Sequence, residues 1–358
     1  MKVLFDYPAL SQTYGGVSRY ICELIKEMKD EIEIDMSILF TDNIYLEELQ
    51  FLKIKKLISK KNFKGKGKME NILNSFYANY KVMKNNYDIF HATYSDSYFL
   101  NKVKKPIVVT IHDMINEKLP EYHVSHASHI LSKKNLIYNS SHIIAISENT
   151  KRDILEIYPV NEDKISVIYH GATLYNDQIS KNEFGKYMLY VGRRTRYKNF
   201  PFFVESISPI LIKDKELKLI CVGPSFTQKE QEFFSKLKIA DRVIAIGADD
   251  NQLNTLYSHA LVFVFPSLFE GFGIPILEAF SNKCPVCLSE ASCFPEIAGQ
   301  AALYFDPTDK QSILESVDRV ITDRVLASKL TELGLERLRL FSWSKAAQQT
   351  LNVYRSVI

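Results

Sequence analysis

The sequence predicts an α/β fold built from two open parallel sheets, and two observations carry that prediction. Short β-rich runs alternate with helical patterns along the whole chain, the signature of parallel strands joined by crossover helices. At 358 residues the chain also exceeds the usual size of one domain, so the pattern should divide into two. Open sheets of this kind hold ligands beyond the carboxyl ends of their strands, which makes the strand exits the places to look for chemistry.

Taken in order, the first half offers strands at Val3–Phe5, Ile34–Phe40, Ile89–His91, Ile107–Ile111 and Ile143–Ile146. After Gly171 a polar stretch, Tyr175 to Gly185, reads as an interdomain linker. The second half repeats the logic with Met188–Val191, Leu219–Val222, Val243–Ile246, Leu261–Phe265, Pro285–Leu288 and Leu303–Phe305. Helices separate them, among them Phe202–Lys213 and Lys229–Leu237. From Leu326 to Ile358 the periodicity is helical, interrupted at Gly334 and at Phe341-Ser342-Trp343. The expected domains are 1–175 and 186–340, with a final helix at 341–358 packing back toward the first domain. Trp343 is expected in a core rather than under a nucleobase.

Composition excludes several classes. With 46% hydrophobic and 24% charged residues the chain reads as an ordinary globular enzyme. Met1-Lys2-Val3-Leu4-Phe5-Asp6 meets an acid too early for a secretory signal. The longest near-apolar run, Ala260 to Phe269, is interrupted by Pro266 and Ser267 and is too short to span a bilayer. A cytoplasmic protein is expected. Cys284 and Cys287 have metal-like spacing, but no second ligand pair follows. All five cysteines therefore read as small buried hydrophobes. His123, His126 and His129 recur every three residues. That spacing drifts around a helix, so a metal site is disfavoured against an exposed helix.

Net charge is only +3, yet residues 50–105 hold 13 lysines against Glu70, Asp88 and Asp96. The densest part, Lys53 to Lys68, has eight lysines and no acid, interleaved with Ile54, Leu57, Ile58 and Phe63. No nucleic-acid motif accompanies it, so nucleic acid is not an expected partner. An anionic membrane surface and a plain solvated loop both remain open.

Neither G-x-G-x-x-G nor G-x-x-x-x-G-K-[ST] is present, which removes the best support for an oxidoreductase or a P-loop enzyme. Two strand exits could meet phosphate: Tyr14-Gly15-Gly16-Val17-Ser18-Arg19, and Gly192-Arg193-Arg194-Thr195-Arg196-Tyr197-Lys198. The informative segment runs from Pro266 to Phe280. A buried strand ends, a glycine-spaced loop follows, and a helix opens with Pro275 in its first turn. Amides around Gly271, Phe272, Gly273 and Ile274 should point out of that helix N-terminus. Glu270 and Glu278 bracket them, a pairing of acceptors and donors that suits a polyhydroxy ligand.

On these residues the chain resembles the retaining glycosyltransferases of family 4, whose fold is GT-B. Their E-x7-E signature stands here as Glu270 and Glu278. Leu253-Asn254-Thr255-Leu256-Tyr257, Pro295-Glu296, Phe305-Asp306-Pro307, Thr110-Ile111-His112-Asp113 and Ile146-Ser147-Glu148-Asn149-Thr150 extend the likeness over nearly the whole chain.

The resemblance implies two Rossmann-like domains facing across a cleft, with the acceptor on the first and a GDP- or UDP-linked sugar donor on the second. It implies that Glu278 holds the donor ribose and that Glu270 and the amides after it contact the transferred sugar. Lys198 would bind the diphosphate with Arg193 or Arg194. Gly16 would meet the phosphates, and His112 would lie near the donor sugar. The group resembled is that of polysaccharide and O-antigen mannosyltransferases. Its acceptors are saccharides or lipid-linked saccharides, and the enzyme would lie peripherally at the inner face of the plasma membrane.

Elementary chemistry agrees with these roles. Breaking the anomeric C–O bond leaves negative charge on the departing diphosphate, and fixed cations with a helix N-terminus stabilise it. No D-x-D motif stands at a strand exit, so no metal or other cofactor is expected. A nucleotide-sugar epimerase, a phosphorylase and a catalytically silent partner subunit are the alternatives to a transferase.

Overall fold

A computed structural model describes residues 1–49, 65–122, 127–173 and 179–358. The chain divides into two compact units, Met1–Gly171 with Ser342–Ile358, and Ala172–Phe341. Each unit contains one six-stranded sheet, and every strand pair in both sheets is parallel.

In the first unit the strands are β1 Lys2–Phe5, β2 Glu33–Met36, β3 Ile89–Ala92, β4 Ile107–Ile111, β5 His142–Ala145 and β6 Ile165–Val167. Their spatial order is β2-β1-β3-β4-β5-β6, with Val3 in register with both Ile34 and Ile89. β3 and β4 are buried at every residue, as continuous apolar runs in a sheet covered on both faces should be. The helix Gly16–Met28 buries Tyr20, Ile21, Leu24, Ile25 and Met28 along one stripe. Trp343, Ala346, Ala347, Leu351 and Tyr354 of the helix Trp343–Ser356 belong to the same core cluster. Trp343 lies 6.1 Å from the Tyr20 ring and stacks on His170 at 5.9 Å, a core position as expected.

The second unit comprises β7 Tyr187–Val191, β8 Lys218–Val222, β9 Val243–Ile246, β10 Val262–Phe265, β11 Val286–Ser289 and β12 Leu303–Phe305. Their order is β12-β11-β10-β7-β8-β9. Met188, Tyr190, Leu219, Val262 and Val264 form its core with Phe200, Phe203 and Ile207 of the helix Phe200–Lys213.

Three local expectations are corrected. The second strand stops at Met36 instead of running to Phe40, because Asn74 takes the chain away from the sheet. Its Oδ1 accepts from the Leu39 and Phe40 amides at 2.9 Å each, and its Nδ2 donates to the Phe40 carbonyl. Short β6 at the sheet edge was missed. Gly334 does not interrupt the tail: the helix Arg324–Leu338 passes straight through it. A Cβ there would lie 2.6 Å from Phe280 Cδ1, so the glycine serves helix packing and not a break. The linker residues 175–178, the triplet's His123 and His126, and Lys53–Lys64 lie outside the described residues.

At the carboxyl end of β1, Asp6 is fully buried. Its Oδ1 accepts from the Tyr98 hydroxyl and the Tyr7 amide, while Oδ2 is buried with no hydrogen-bond partner among the described residues. Burial pushes this carboxyl up to about 7. Between the unfolded value and 7 the folded chain holds a proton that the unfolded chain releases. The stability from this group is therefore complete at acid pH and is lost as pH rises through 7. Asp6→Asn keeps an acceptor and cannot ionise. Its melting temperature should rise relative to the parent as pH goes from about 5 to 8, and a pH-independent difference in thermal unfolding would refute this account.

Candidate active site

In the second unit β7 comes first in sequence, β8 and β9 lie to one side of it, and β10 to β12 to the other. The connections after β7 and β10 leave in opposite directions, and the crevice between two such neighbours is where open α/β sheets hold ligands. Both informative loops of the sequence exit here. The amide of Leu268, after β10, donates to the Tyr197 carbonyl, after β7, at 2.8 Å.

Lys198 closes the 3-10 turn Arg196–Lys198 and forms an ion pair with Glu270. Only 17% and 12% of their side chains are exposed, so the pair is largely shielded from water. The ammonium also lies 5.1 Å from the Tyr197 ring centroid and 5.4 Å from that of Phe265, contacts that favour a cation. The Glu270 amide donates to Ser292 Oγ at 3.0 Å, and the Cys293 thiol donates to the carbonyls of Glu270 and Phe272. Ser292 and Cys293, beyond β11, thus fix the loop that carries the first glutamate. Cys293 was expected as a mere hydrophobe. Its thiol is buried and hydrogen-bonded, and burial holds its pKa well above the ordinary value.

The helix Ile274–Ser281 begins at Gly273, whose φ of 103° is left-handed and whose Cβ would meet Ile276 Cδ1 at 2.9 Å. No side chain caps this N-terminus, and Pro275 occupies its first turn. One turn in, Glu278 is 8% exposed and its Oε2 accepts from the Tyr257 hydroxyl at 3.2 Å. Tyr257, on the helix Asp250–His259, is fully buried, so Glu278 is held by a rigid donor.

The two arginines separate clearly. Arg194 is spoken for: Nε bonds Glu230 Oε1 at 2.6 Å, Nη2 donates to the Ser225 carbonyl, and the guanidinium stacks 4.6 Å from Phe226. Glu230 is held below the usual carboxylate range despite its burial, with the Arg194 hydrogen bond the leading favourable cause. Arg193 is exposed and makes no ion pair among the described residues.

In the first unit the corresponding crevice lies between β1 and β3. Gly16 is the first residue of the helix Gly16–Met28, whose N-terminus likewise lacks a side-chain cap. His112 follows β4. Its Nε2 is buried and has no hydrogen-bond partner among the described residues, and its ring meets Tyr20 edge-on at 5.3 Å. Burial lowers the His112 pKa to about 4, and the nearby Lys133 charge adds to that. The imidazole is therefore neutral at physiological pH.

Sequence reasoning overlooked Lys133. On the helix Ala127–Asn139, its ammonium donates to the Asp113 carbonyl at 2.9 Å and pairs with Glu117 at 2.9 Å, with side chains 3% and 4% exposed. It clamps the loop on which His112 stands. Nothing in its surroundings, Leu131-Ser132-Lys133-Lys134-Asn135, marks it. Among the described residues no group of three or more His, Cys, Asp or Glu could hold a metal ion.

Removing the Lys133 ammonium would leave the Glu117 charge buried and alone. Lys133→Met should lower stability by about 3–5 kcal/mol, the scale for breaking one side of a buried pair. Lys133→Met with Glu117→Leu should regain most of that loss. Urea unfolding of the parent and both variants checks this, and equal losses in the two variants would refute the pairing.

Comparisons with known proteins bear on both units. The family model described as Glycosyltransferase Family 4 matches residues 14–174, and that described as Glycosyl transferases group 1 matches residues 173–337. The chain is similar to the O-antigen chain mannosyltransferase RfbU of Salmonella typhimurium, at 29% identity. That match covers 59% of this chain and only 60% of the relative's length. It is similar to the O-antigen chain mannosyltransferase B of Escherichia coli at 24% identity, over 99% of this chain and 100% of the relative. Among solved structures, Anabaena HepE in complex with UDP and glucose superposes with a TM-score of 0.76 at 18% identity, covering 99% of this chain and 100% of that one. This chain belongs to the GT4-type glycosyltransferases and has their GT-B fold.

Proposed function

We propose that this protein transfers a hexose, mannose being the candidate its named relatives suggest, from a nucleoside diphosphate sugar to a saccharide or lipid-linked acceptor in surface-polysaccharide or O-antigen assembly. Transfer proceeds with retention at the anomeric carbon and without a metal ion. The observation that carries this reading is the Lys198–Glu270 pair beside an uncapped helix N-terminus at the crevice between β7 and β10.

In this mechanism the donor diphosphate takes Lys198 from Glu270. The ammonium and the uncapped amides then face the charge that grows on the leaving group as the glycosidic bond breaks. Glu270, released from the lysine, is free to accept hydrogen bonds from sugar hydroxyls. Arg193 is the arginine of the diphosphate site, since Arg194 is committed to Glu230 and Ser225. Glu278, set by Tyr257, accepts from the ribose. His112 acts as a neutral hydrogen-bonding group near the sugar, because its pKa of about 4 leaves it uncharged. Gly16 offers its amide from the first unit. The nucleobase is that of UDP or GDP, and the enzyme works in the cytoplasm at the inner, anionic face of the membrane.

An epimerase, a phosphorylase or a silent subunit would lack acceptor-dependent transfer, so the deciding measurement is glycosyl transfer itself in excess chelator. Parent activity should survive the chelator, while Lys198→Ala should lower kcat/KM by about 10²-fold or more, the scale for losing a fixed transition-state stabiliser. Loss of parent activity restored by Mn²⁺ or Mg²⁺ would overturn the metal-free mechanism. Near-parental turnover in Lys198→Ala would remove the lysine from it.

The two glutamates separate by calorimetry. Glu278→Ala should weaken the bare nucleoside diphosphate by about tenfold, the loss expected when a hydrogen bond to a charged group is removed. Glu270→Ala should leave that affinity nearly unchanged and damage transfer. The reverse pattern would mean that their roles are exchanged.

A further inference from the structure

The helix Lys66–Lys84 of the first unit is turned the wrong way for a soluble protein. Its core side holds only Asn74, Ala78 and Val82 with the stem of Lys66. Its outer side presents Met69 (38% exposed), Ile72 (48%), Phe76 (72%), Tyr80 (54%) and Met83 (66%). These are spaced by three, four, four and three residues, which places all five on one helical face. No other described helix carries more than two exposed large apolar residues. Single exposed apolar side chains are normal and need no explanation. A continuous stripe marks a surface that something covers.

We propose that this face is a membrane-docking surface, which lies in the headgroup region of an anionic lipid bilayer with Phe76 and Met83 inserted between the lipids. The proposal deepens the membrane part of the function proposed above, on an observation independent of the transfer chemistry.

Charge argues for lipid over protein. Lys68 and Lys84 are exposed at the borders of the stripe. Lys66 and Lys81, by contrast, are tied inward to Asp42 at 2.5 Å and Asp35 at 2.6 Å. The helix's one acid, Glu70, lies 3.7 Å from Lys66 with its side chain only 13% exposed, away from the apolar stripe. Every basic residue between 50 and 105 is lysine, with no arginine among them. Protein interfaces favour arginine and shed lysine, whereas an apolar stripe edged by lysines is the pattern of an interfacial helix. Lysine stems lie along apolar surface while their ammonium groups reach anionic headgroups.

The test uses the full chain and sedimenting vesicles of phosphatidylcholine, alone or with one quarter phosphatidylglycerol. The parent should sediment with the anionic vesicles and be released at high salt. Phe76→Ser with Met83→Ser should reduce the partition constant by about tenfold or more, given the apolar area withdrawn from lipid. Both side chains are exposed, so melting temperature and nucleoside diphosphate affinity should stay at parental values.

A Phe76→Trp variant should shift its emission to the blue when anionic vesicles are added, against a constant background from buried Trp343. A parent that sediments while the double serine variant sediments equally well would overturn the proposal and place attachment elsewhere, with the transferase reading untouched. Equal sedimentation with pure phosphatidylcholine would overturn the anionic surface. A parent dimer that the double serine variant turns into a monomer would make the face a subunit interface and end the proposal.

Discussion

The ion pair between Lys198 and Glu270 depends on one topological fact. β7 and β10 lie side by side although β8, β9 and their helices intervene in the chain. Parallel strands cannot be joined by a tight turn, so neighbours of this kind send their exits away from each other and leave a crevice. The crevice then brings a cationic turn to a carboxylate and an uncapped helix N-terminus that lie about seventy residues further along the chain. Most of the remaining site serves to hold these three still. Leu268 ties the two loops, Ser292 and Cys293 fix the Glu270 backbone, and Tyr257 fixes Glu278.

In the first unit the working principle is desolvation. His91, His112 and His170 are all kept from protonating by burial, which at His112 outweighs the opposing pull of the Asp113 carboxylate. His91 bonds Thr110 Oγ1 at 2.9 Å on one side and the Tyr354 hydroxyl on the other. His170 stacks on Tyr20 at 4.6 Å. A neutral imidazole layer of this kind keeps its hydrogen-bonding capacity across the physiological range without adding charge to the interior of the unit. Lys133 brings a cation close to it. That charge is paired with Glu117 and held on the Asp113 carbonyl, so it positions the loop and adds only a minor part to the lowering of the His112 pKa.

How much of this was legible in the sequence follows from the range of each interaction. Ten of the twelve described strands were readable near their observed bounds because continuous apolar runs report burial directly. β2 was read too long and β6 was missed, since both are edge strands whose ends are set by side chains such as Asn74 and not by their own pattern. Gly334 looked like a break because local propensity cannot see Phe280, which lies against it from a different helix. The candidate residues Glu270, Lys198, Arg193 and His112 carried a signal because each sits in a loop after a strand, and Glu278 because it lies in the helix that follows such a loop. Tyr257, Ser292, Cys293 and Lys133 carried none, since each acts on a partner 16 to 23 residues away through one hydrogen bond or ion pair. The proposed preference for Arg193 over Arg194 rests on Glu230, thirty-six residues on from Arg194 and invisible to local pattern.

The discontinuity of the first unit has a consequence for biogenesis. Its helix Gly16–Met28 buries Tyr20, Ile21 and Leu24 in a cluster whose other contributors are Trp343, Leu351 and Tyr354. During vectorial synthesis the early sheet therefore emerges with an uncovered apolar flank, which stays uncovered while the whole second unit is made. Closing a loop of that length adds only a modest entropic penalty, so the finished chain completes the unit readily. The nascent chain cannot, and for the intervening seconds its exposed flank is a substrate for chaperones or for self-association. Sealing the first unit therefore waits on the segment Ser342–Ile358, which translation reaches only after the whole second unit.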